Sequence, residues 1–242
     1  MRPSSLRNAC AVCPPADAEI TGASRASAHV SRLKITEIFY SLQGEADTAG
    51  IPTTFVRLTG CPLRCQYCDT AYAFTGGEWW EIDAIVTRVR ELGAHHVCVT
   101  GGEPLAQKAC IDLLKQLSDE GFRVSLETSG AMPLESVDAR VVMVVDVKTP
   151  ASGEEGQNRY EELARLGSKD LVKFVICGRE DYEWSRAKMS ELALANRCTV
   201  LFSPSHEQLP ARELADWILE DRLPVRFQMQ LHKVLWGNTP GK

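Results

Sequence analysis

The sequence has no apolar stretch approaching the ~20 residues that a membrane span requires, so no transmembrane segment is expected. It has no run of basic residues either, and its net charge is −5. Duplex recognition sets clustered Lys and Arg against phosphates, so direct nucleic-acid binding is not expected. The N-terminal stretch lacks the uninterrupted apolar core of a secretory signal. A disulfide framework is missing too, because the nine cysteines are odd in number and scattered outside one group. That group, Cys61, Cys65 and Cys68, points instead to metal binding in a reducing compartment, and the cytoplasm is the expected location. What remains, 44% hydrophobic and 24% charged, is the composition of an ordinary soluble domain.

Residues 1–32 are rich in Ala, Ser, Pro and Arg and show no amphipathic period, so a disordered leader is expected there. Arg2, Arg7, Arg25 and Arg32 suit a transit peptide, whereas Asp17 and Glu19 do not. The favoured expectation is an overcalled start, with the native protein beginning near Val30. Residues 33–242 form the expected single domain.

From Leu33 the chain alternates. Strands are expected at 33–39, 54–59, 96–100, 123–127, 141–146, 171–176, 199–202 and 225–230. Helices are expected at 81–92, 106–120, 181–196 and 211–221, with Gly93 and Gly121 as stops. Trp79-Trp80 reads as packing at a helix start. Alternation of this kind implies an α/β fold with a parallel sheet and right-handed crossovers. Its site lies at the carboxyl ends of the strands, as in barrels. The unusual segments fall there: the cysteine loop, Gly101-Gly102-Glu103-Pro104, Glu127-Thr128-Ser129 and Asp146-Val147-Lys148.

Gly60-Cys61-Pro62-Leu63-Arg64-Cys65-Gln66-Tyr67-Cys68 has the spacing CxxxCxxC. Gly60 and Pro62 keep it from being a regular helix, so it can wrap a compact inorganic core. Ordinary iron–sulfur clusters take four thiolates, and three leave one iron open to a small molecule. The competing reading is structural zinc, with a fourth ligand from His95 or His96. Cys98, Cys110, Cys177 and Cys198 read as small core residues, and the Cys10/Cys13 pair as chance.

The cysteine loop, with Tyr67 before its last cysteine and Gly-Gly-Glu after the next strand, resembles the radical S-adenosylmethionine (SAM) superfamily. A closer resemblance, over residues 33–239, is to the 7-carboxy-7-deazaguanine synthase family. It is carried by Glu37-Ile38-Phe39-Tyr40-Ser41-Leu42-Gln43-Gly44-Glu45, Phe55-Val56-Arg57-Leu58, Cys68-Asp69-Thr70 and Gln228-Met229-Gln230-Leu231-His232-Lys233-Val234-Leu235-Trp236-Gly237.

The resemblance implies a trimmed, partial TIM-like barrel of mostly parallel strands. It implies a lyase that contracts 6-carboxy-5,6,7,8-tetrahydropterin to 7-carboxy-7-deazaguanine with loss of ammonia, in queuosine and 7-deazapurine biosynthesis. SAM acts as a cofactor, its deoxyadenosyl radical taking and returning the C6 hydrogen. By the same resemblance Cys61, Cys65 and Cys68 hold a [4Fe–4S] cluster and Thr70 holds Mg²⁺. Gly102, Glu103, Ser129 and Lys148 meet SAM, with Gly101 beside them. Leu42, Gln43, Gly44, Arg57 and Thr100 meet the substrate, Arg57 offering a guanidinium fork to its carboxylate. Asp146-Val147 departs from a frequent Ser-Pro of the family, and the chain runs past the point where some members end. Of the two loop histidines, His206 and His232, the family motif singles out His232 for the site, and Tyr67 reads as a shield for the cluster. The expected partners are the pterin, a flavodoxin-type reductant and a second copy in a homodimer. Two other functions remain open at this level: an activating enzyme for a glycyl-radical protein, and a non-enzymatic iron–sulfur or zinc module.

Overall fold

The computed structural model describes residues 31–239 and 241. The expected leader falls outside them except for Ser31 and Arg32, and Arg32 already belongs to the first strand. The strands are β1 (Arg32–Leu42), β2 (Pro52–Leu58), β3 (Glu78–Glu81), β4 (His96–Gly101), β5 (Arg123–Thr128), β6 (Val142–Val147), β7 (Leu171–Ile176), β8 (Thr199–Pro204) and β9 (Arg226–Phe227). The α-helices are α1 (Ile82–Leu92), α2 (Cys110–Asp119), α3 (Arg179–Glu191), α4 (Ala211–Glu220) and α5 (Leu231–Trp236).

The strands form one nine-stranded sheet in the order β3-β1-β2-β4-β5-β6-β7-β8-β9. From β2 to β9 every neighbouring pair is parallel, as the strand–helix alternation requires. The sheet ends in the separate edges β3 and β9, so it is an open, partial TIM-like barrel. β1 is antiparallel to both β2 and β3. Its link to β2 is too short for a crossover helix, which forces a hairpin.

Residue alternation along the parallel strands separates two environments. Val56, Leu58, Val97, Val99, Val145, Val172, Phe174, Val200 and Phe202 point outward and join Ile85, Val86, Val89, Leu113, Leu114, Leu117 and Tyr182 in the main core. The intervening residues, among them Arg57, Thr100, Glu127, Asp146, Lys173 and Ser203, point into the barrel. A small apolar plug of Ala46, Val144, Leu171 and Leu201 closes part of that interior.

Several elements differ from the expectation. Trp79 and Trp80 lie in strand β3, paired with Lys34 and Leu33, not at a helix start. Trp80 packs on the core while Trp79 is 60% exposed. The helix expected from residue 106 begins at Cys110, after a 3-10 turn at Pro104–Ala106 and an extended Gln107. Gln107 is pulled out of helical geometry by its amide, which donates to Lys34 O and Thr59 O and accepts from Lys34 N. The expected last strand shrinks to Arg226–Phe227, and the short α5 follows it. Among the described residues, 3-10 turns replace the α-helix between β6 and β7.

Candidate active site

The carboxyl ends of the parallel strands surround a cavity of about 640 Å³. The cysteine loop leaves the end of β2 and forms one wall. Gly60 turns it at φ 99° and donates its N–H to Ala73 O at 2.8 Å. Cys68 N donates to Cys65 O at 3.2 Å, and the Arg64 guanidinium lies over Phe74 and donates to Cys61 O. The three thiols are half-buried and face the cavity. Burial pushes each of their pKa values up, and the positive charge of Lys148 works against it. A bound metal is what would turn such protonated thiols into ligands.

The donor set fits a cluster held by three cysteines better than a closed zinc site. His95 and His96 lie at the start of β4, the end opposite to Gly101, so neither reaches the loop. Cys177 is only half-buried, unlike Cys98, Cys110 and Cys198, so it is not the core residue expected. Its Sγ accepts from the Gln66 amide at 3.6 Å and does not line the cavity.

Gly101 and Gly102 let the end of β4 lie directly against this loop. A Cβ on Gly102 would sit 2.2 Å from Gly60 O and 2.7 Å from Cys61 Cβ. One on Gly101, whose φ is +147°, would sit 2.3 Å from Leu58 O. Glu103 N then donates to Gly60 O at 2.8 Å.

Glu103 differs from the other expected residues. It is 0% exposed and does not line the cavity. Its carboxylate accepts from Leu105 N, Thr128 Oγ1, Ser129 N and Ser129 Oγ at 2.5–3.0 Å. These bonds clamp the ends of β4 and β5 together. Glu103→Ala strands several buried donors and is expected to lower stability by roughly 3–5 kcal/mol, read from denaturant unfolding of the metal-free protein. Unchanged stability would show that those donors find other partners.

The remaining expected residues all line the cavity: Leu42, Gln43, Gly44, Arg57, Thr70, Thr100, Gly102, Ser129 and Lys148, besides the cysteines. Arg57 Nε donates to Glu37 Oε1 at 2.8 Å, and its guanidinium lies 5.7 Å from the Phe39 ring centre and 5.8 Å from that of Tyr72. Burial disfavours its charge, but Tyr72, Glu37 and Glu127 together hold its pKa above the ordinary arginine value. Thr100 Oγ1 donates to Glu127 Oε2 at 2.8 Å, and the Gln43 amide reaches Glu127 Oε1 at 3.4 Å. Thr70 Oγ1 donates to Asp69 Oδ1 at 2.8 Å and makes no cap bond to the turn that follows. Gly44 lies against His232, whose Nδ1 would be 2.1 Å from an added Cβ, and Leu231 N donates to Gly44 O. His206 is exposed beside Glu207, 3.5 Å away. The Tyr67 hydroxyl is buried with no hydrogen-bond partner among the described residues, and its ring lies 5.9 Å from Lys148 Nζ.

A buried charge chain completes the site. Lys173 pairs with Glu45 at 2.7 Å and with Asp146 at 3.4 Å, while Asp146 also meets Lys148 at 3.2 Å. Burial opposes both lysine charges, yet Glu45 and Asp146 at Lys173, and Asp146 and Cys65 at Lys148, raise their pKa values. Gln230 donates to Glu45 and Asp69, and Lys233 lies 3.7 Å from Asp69, which docks the C-terminal segment on the cysteine loop. Glu45, Asp69, Tyr72, Lys173 and Gln230 were not singled out as site residues from sequence. A signal existed for Lys173, the lone charge in the apolar run Leu171-Val172-Lys173-Phe174-Val175.

Comparison with known proteins agrees with this geometry. Residues 55–150 match the model of the radical SAM superfamily. A 7-carboxy-7-deazaguanine synthase of Koribacter versatilis is 43% identical over 219 residues, 84% of this chain and 97% of that protein. One from Chlorobaculum tepidum is 43% identical over 208 residues, 85% and 94% of the two chains. The crystal structure of QueE from Escherichia coli superposes with a TM-score of 0.69 at 25% identity, covering 83% of this chain and 95% of that one. Identity at this level across nearly the full length of its relatives shows that the chain belongs to the 7-carboxy-7-deazaguanine synthase family.

Proposed function

We propose that this chain converts 6-carboxy-5,6,7,8-tetrahydropterin to 7-carboxy-7-deazaguanine as a radical SAM enzyme of 7-deazapurine biosynthesis. One observation carries the reading: the three cysteine thiols and the Arg57 guanidinium face the same cavity. Cys61, Cys65 and Cys68 would hold a [4Fe–4S] cluster, which supplies the electron for reductive cleavage of SAM when both are bound. Ser129, Lys148 and the backbone at Gly102 line the same cavity and suit the methionine end of SAM. Arg57 has Nε committed to Glu37, and its terminal nitrogens make no hydrogen bond among the described residues. They form a fork for the substrate carboxylate. Gln43, Thr100 and Glu127 supply donors and acceptors for a polar heterocycle.

Mg²⁺ belongs to the same proposal. Thr70 and Asp69 offer adjacent oxygens on the cavity wall, and a magnesium ion commonly adds waters and substrate oxygens to such a pair. A flavodoxin-type reductant, a homodimer and a cytoplasmic location follow from the family resemblance and the cysteine usage. Among the described residues no helix is long and apolar enough to cross a membrane.

The test is anaerobic turnover of the carboxypterin by reconstituted protein, with 7-carboxy-7-deazaguanine identified by mass. SAM cleavage without that product would overturn the substrate assignment. Turnover should rise with added Mg²⁺, and Thr70→Ala should blunt the response while Thr70→Ser keeps it. A Thr70→Ala curve superimposable on wild type would remove Thr70 from the metal site.

A further inference from the structure

Glu37 lies on β1, and its Oε1 accepts two hydrogen bonds. One comes from Arg57 Nε on β2 at 2.8 Å, the other from the Tyr72 hydroxyl at 2.8 Å. Tyr72 sits in the 3-10 turn Ala71–Ala73 that begins directly after Thr70. Its ring also lies against the Arg57 guanidinium, with Phe39 close to the same group. The Glu37 and Arg57 side chains are 23% and 15% exposed, so water competes little for either.

We infer that Glu37 is a positioning residue, which fixes the Arg57 fork relative to the segment leaving the cysteine loop. A guanidinium can receive a carboxylate on its Nε edge or across its two terminal nitrogens. Glu37 occupies the Nε edge, so a ligand carboxylate is directed to the terminal nitrogens. Because the same oxygen holds Tyr72, the direction of the fork is set with respect to Thr70 and Cys68, not merely to β1. The arrangement carries an electrostatic cost, since a second anion beside Arg57 weakens its pull on substrate. Its gain is orientation, and orientation shows in turnover.

The inference rests on Arg57 as the reader of the substrate carboxylate, and the experiment separates the two. Reconstituted wild type, Arg57→Ala, Glu37→Ala, Glu37→Gln and Tyr72→Phe are compared in two measurements. The first is calorimetric binding of 6-carboxypterin, and the second is coupled turnover against uncoupled SAM cleavage. Arg57→Ala should lose binding at least about tenfold. Glu37→Ala should bind within about threefold of wild type but lose kcat by about tenfold or more, with a larger uncoupled fraction. Glu37→Gln, whose Oε1 can accept both bonds, should restore most of the coupling, and Tyr72→Phe should fall between. Unchanged binding in Arg57→Ala would defeat the carboxylate reading. Wild-type coupling in Glu37→Ala, or Glu37→Gln as poor as Glu37→Ala, would overturn the positioning role. If Glu37→Ala does not fold, Tyr72→Phe decides alone, with wild-type coupling counting against the inference.

Discussion

Replacing Cys61, Cys65 or Cys68 by Ala should give a folded protein that cannot retain a cluster or cleave SAM, while wild type reconstitutes about four irons per chain. Separating fold from cluster is possible because main-chain bonds hold the loop. Gly60 N to Ala73 O, Gln66 N to Ser152 O and Glu103 N to Gly60 O do not involve a thiol. The melting temperature of the metal-free variants should therefore stay near that of metal-free wild type. Cys177→Ala is the informative control. That sulfur accepts from Gln66 and lies outside the cavity lining, so the variant should keep its irons and its SAM cleavage. Loss of the cluster in Cys177→Ala would make it a fourth ligand and remove the open iron. A colourless wild-type protein holding one zinc would end the iron–sulfur reading.

The same contrast shows what was legible in the sequence. The CxxxCxxC spacing is local, so three donors and their shared wall could be read from one segment. The strands β4 to β8 were legible because strands buried in a parallel sheet are short apolar runs between turn residues. Cys177, which read as core, falls just past the end of β7, and Lys173 depends on which way that strand faces. Lys173 points inward only because Val172 and Phe174 are claimed by the helix side of the sheet. Its partners Glu45 and Asp146 come from distant segments, and no pattern within β7 announces them. Glu103 illustrates the opposite difficulty. Its motif was visible, but the four groups that donate to it were not, and they turn its carboxylate away from the cavity. Strand β3 was missed because four residues are too few for alternation to register, and its partner β1 lies far back in the chain. Helix α5 is short enough that the preceding apolar run read as strand.

Gly102→Ala should nearly abolish turnover, and it should do so through the cysteine loop. The added Cβ would lie 2.2 Å from Gly60 O and 2.7 Å from both Gly60 C and Cys61 Cβ. The nearest of these atoms are backbone, so no flexible side chain can give way. Gly60 is itself held on both sides, its N–H by Ala73 O and its carbonyl by Glu103 N, each at 2.8 Å. Relief therefore requires moving the Gly60–Cys61 peptide, breaking one of those bonds and displacing the first cysteine. A shift near 1 Å in such a site can cost about 10²-fold in rate. Iron retained after reconstitution should fall along with activity, because the collision is with the ligand loop. Gly121→Ala gives the matching control: Gly121 also has a positive φ, +85°, but nothing lies within 4 Å of its Cβ position. That variant should lose about 1–2 kcal/mol of stability from backbone strain and keep its iron and turnover. Equal iron loss in both variants would trace the effect to general destabilisation. A Gly102→Ala protein with full iron but weakened SAM binding would move the role of this glycine from loop packing to direct approach of the ligand.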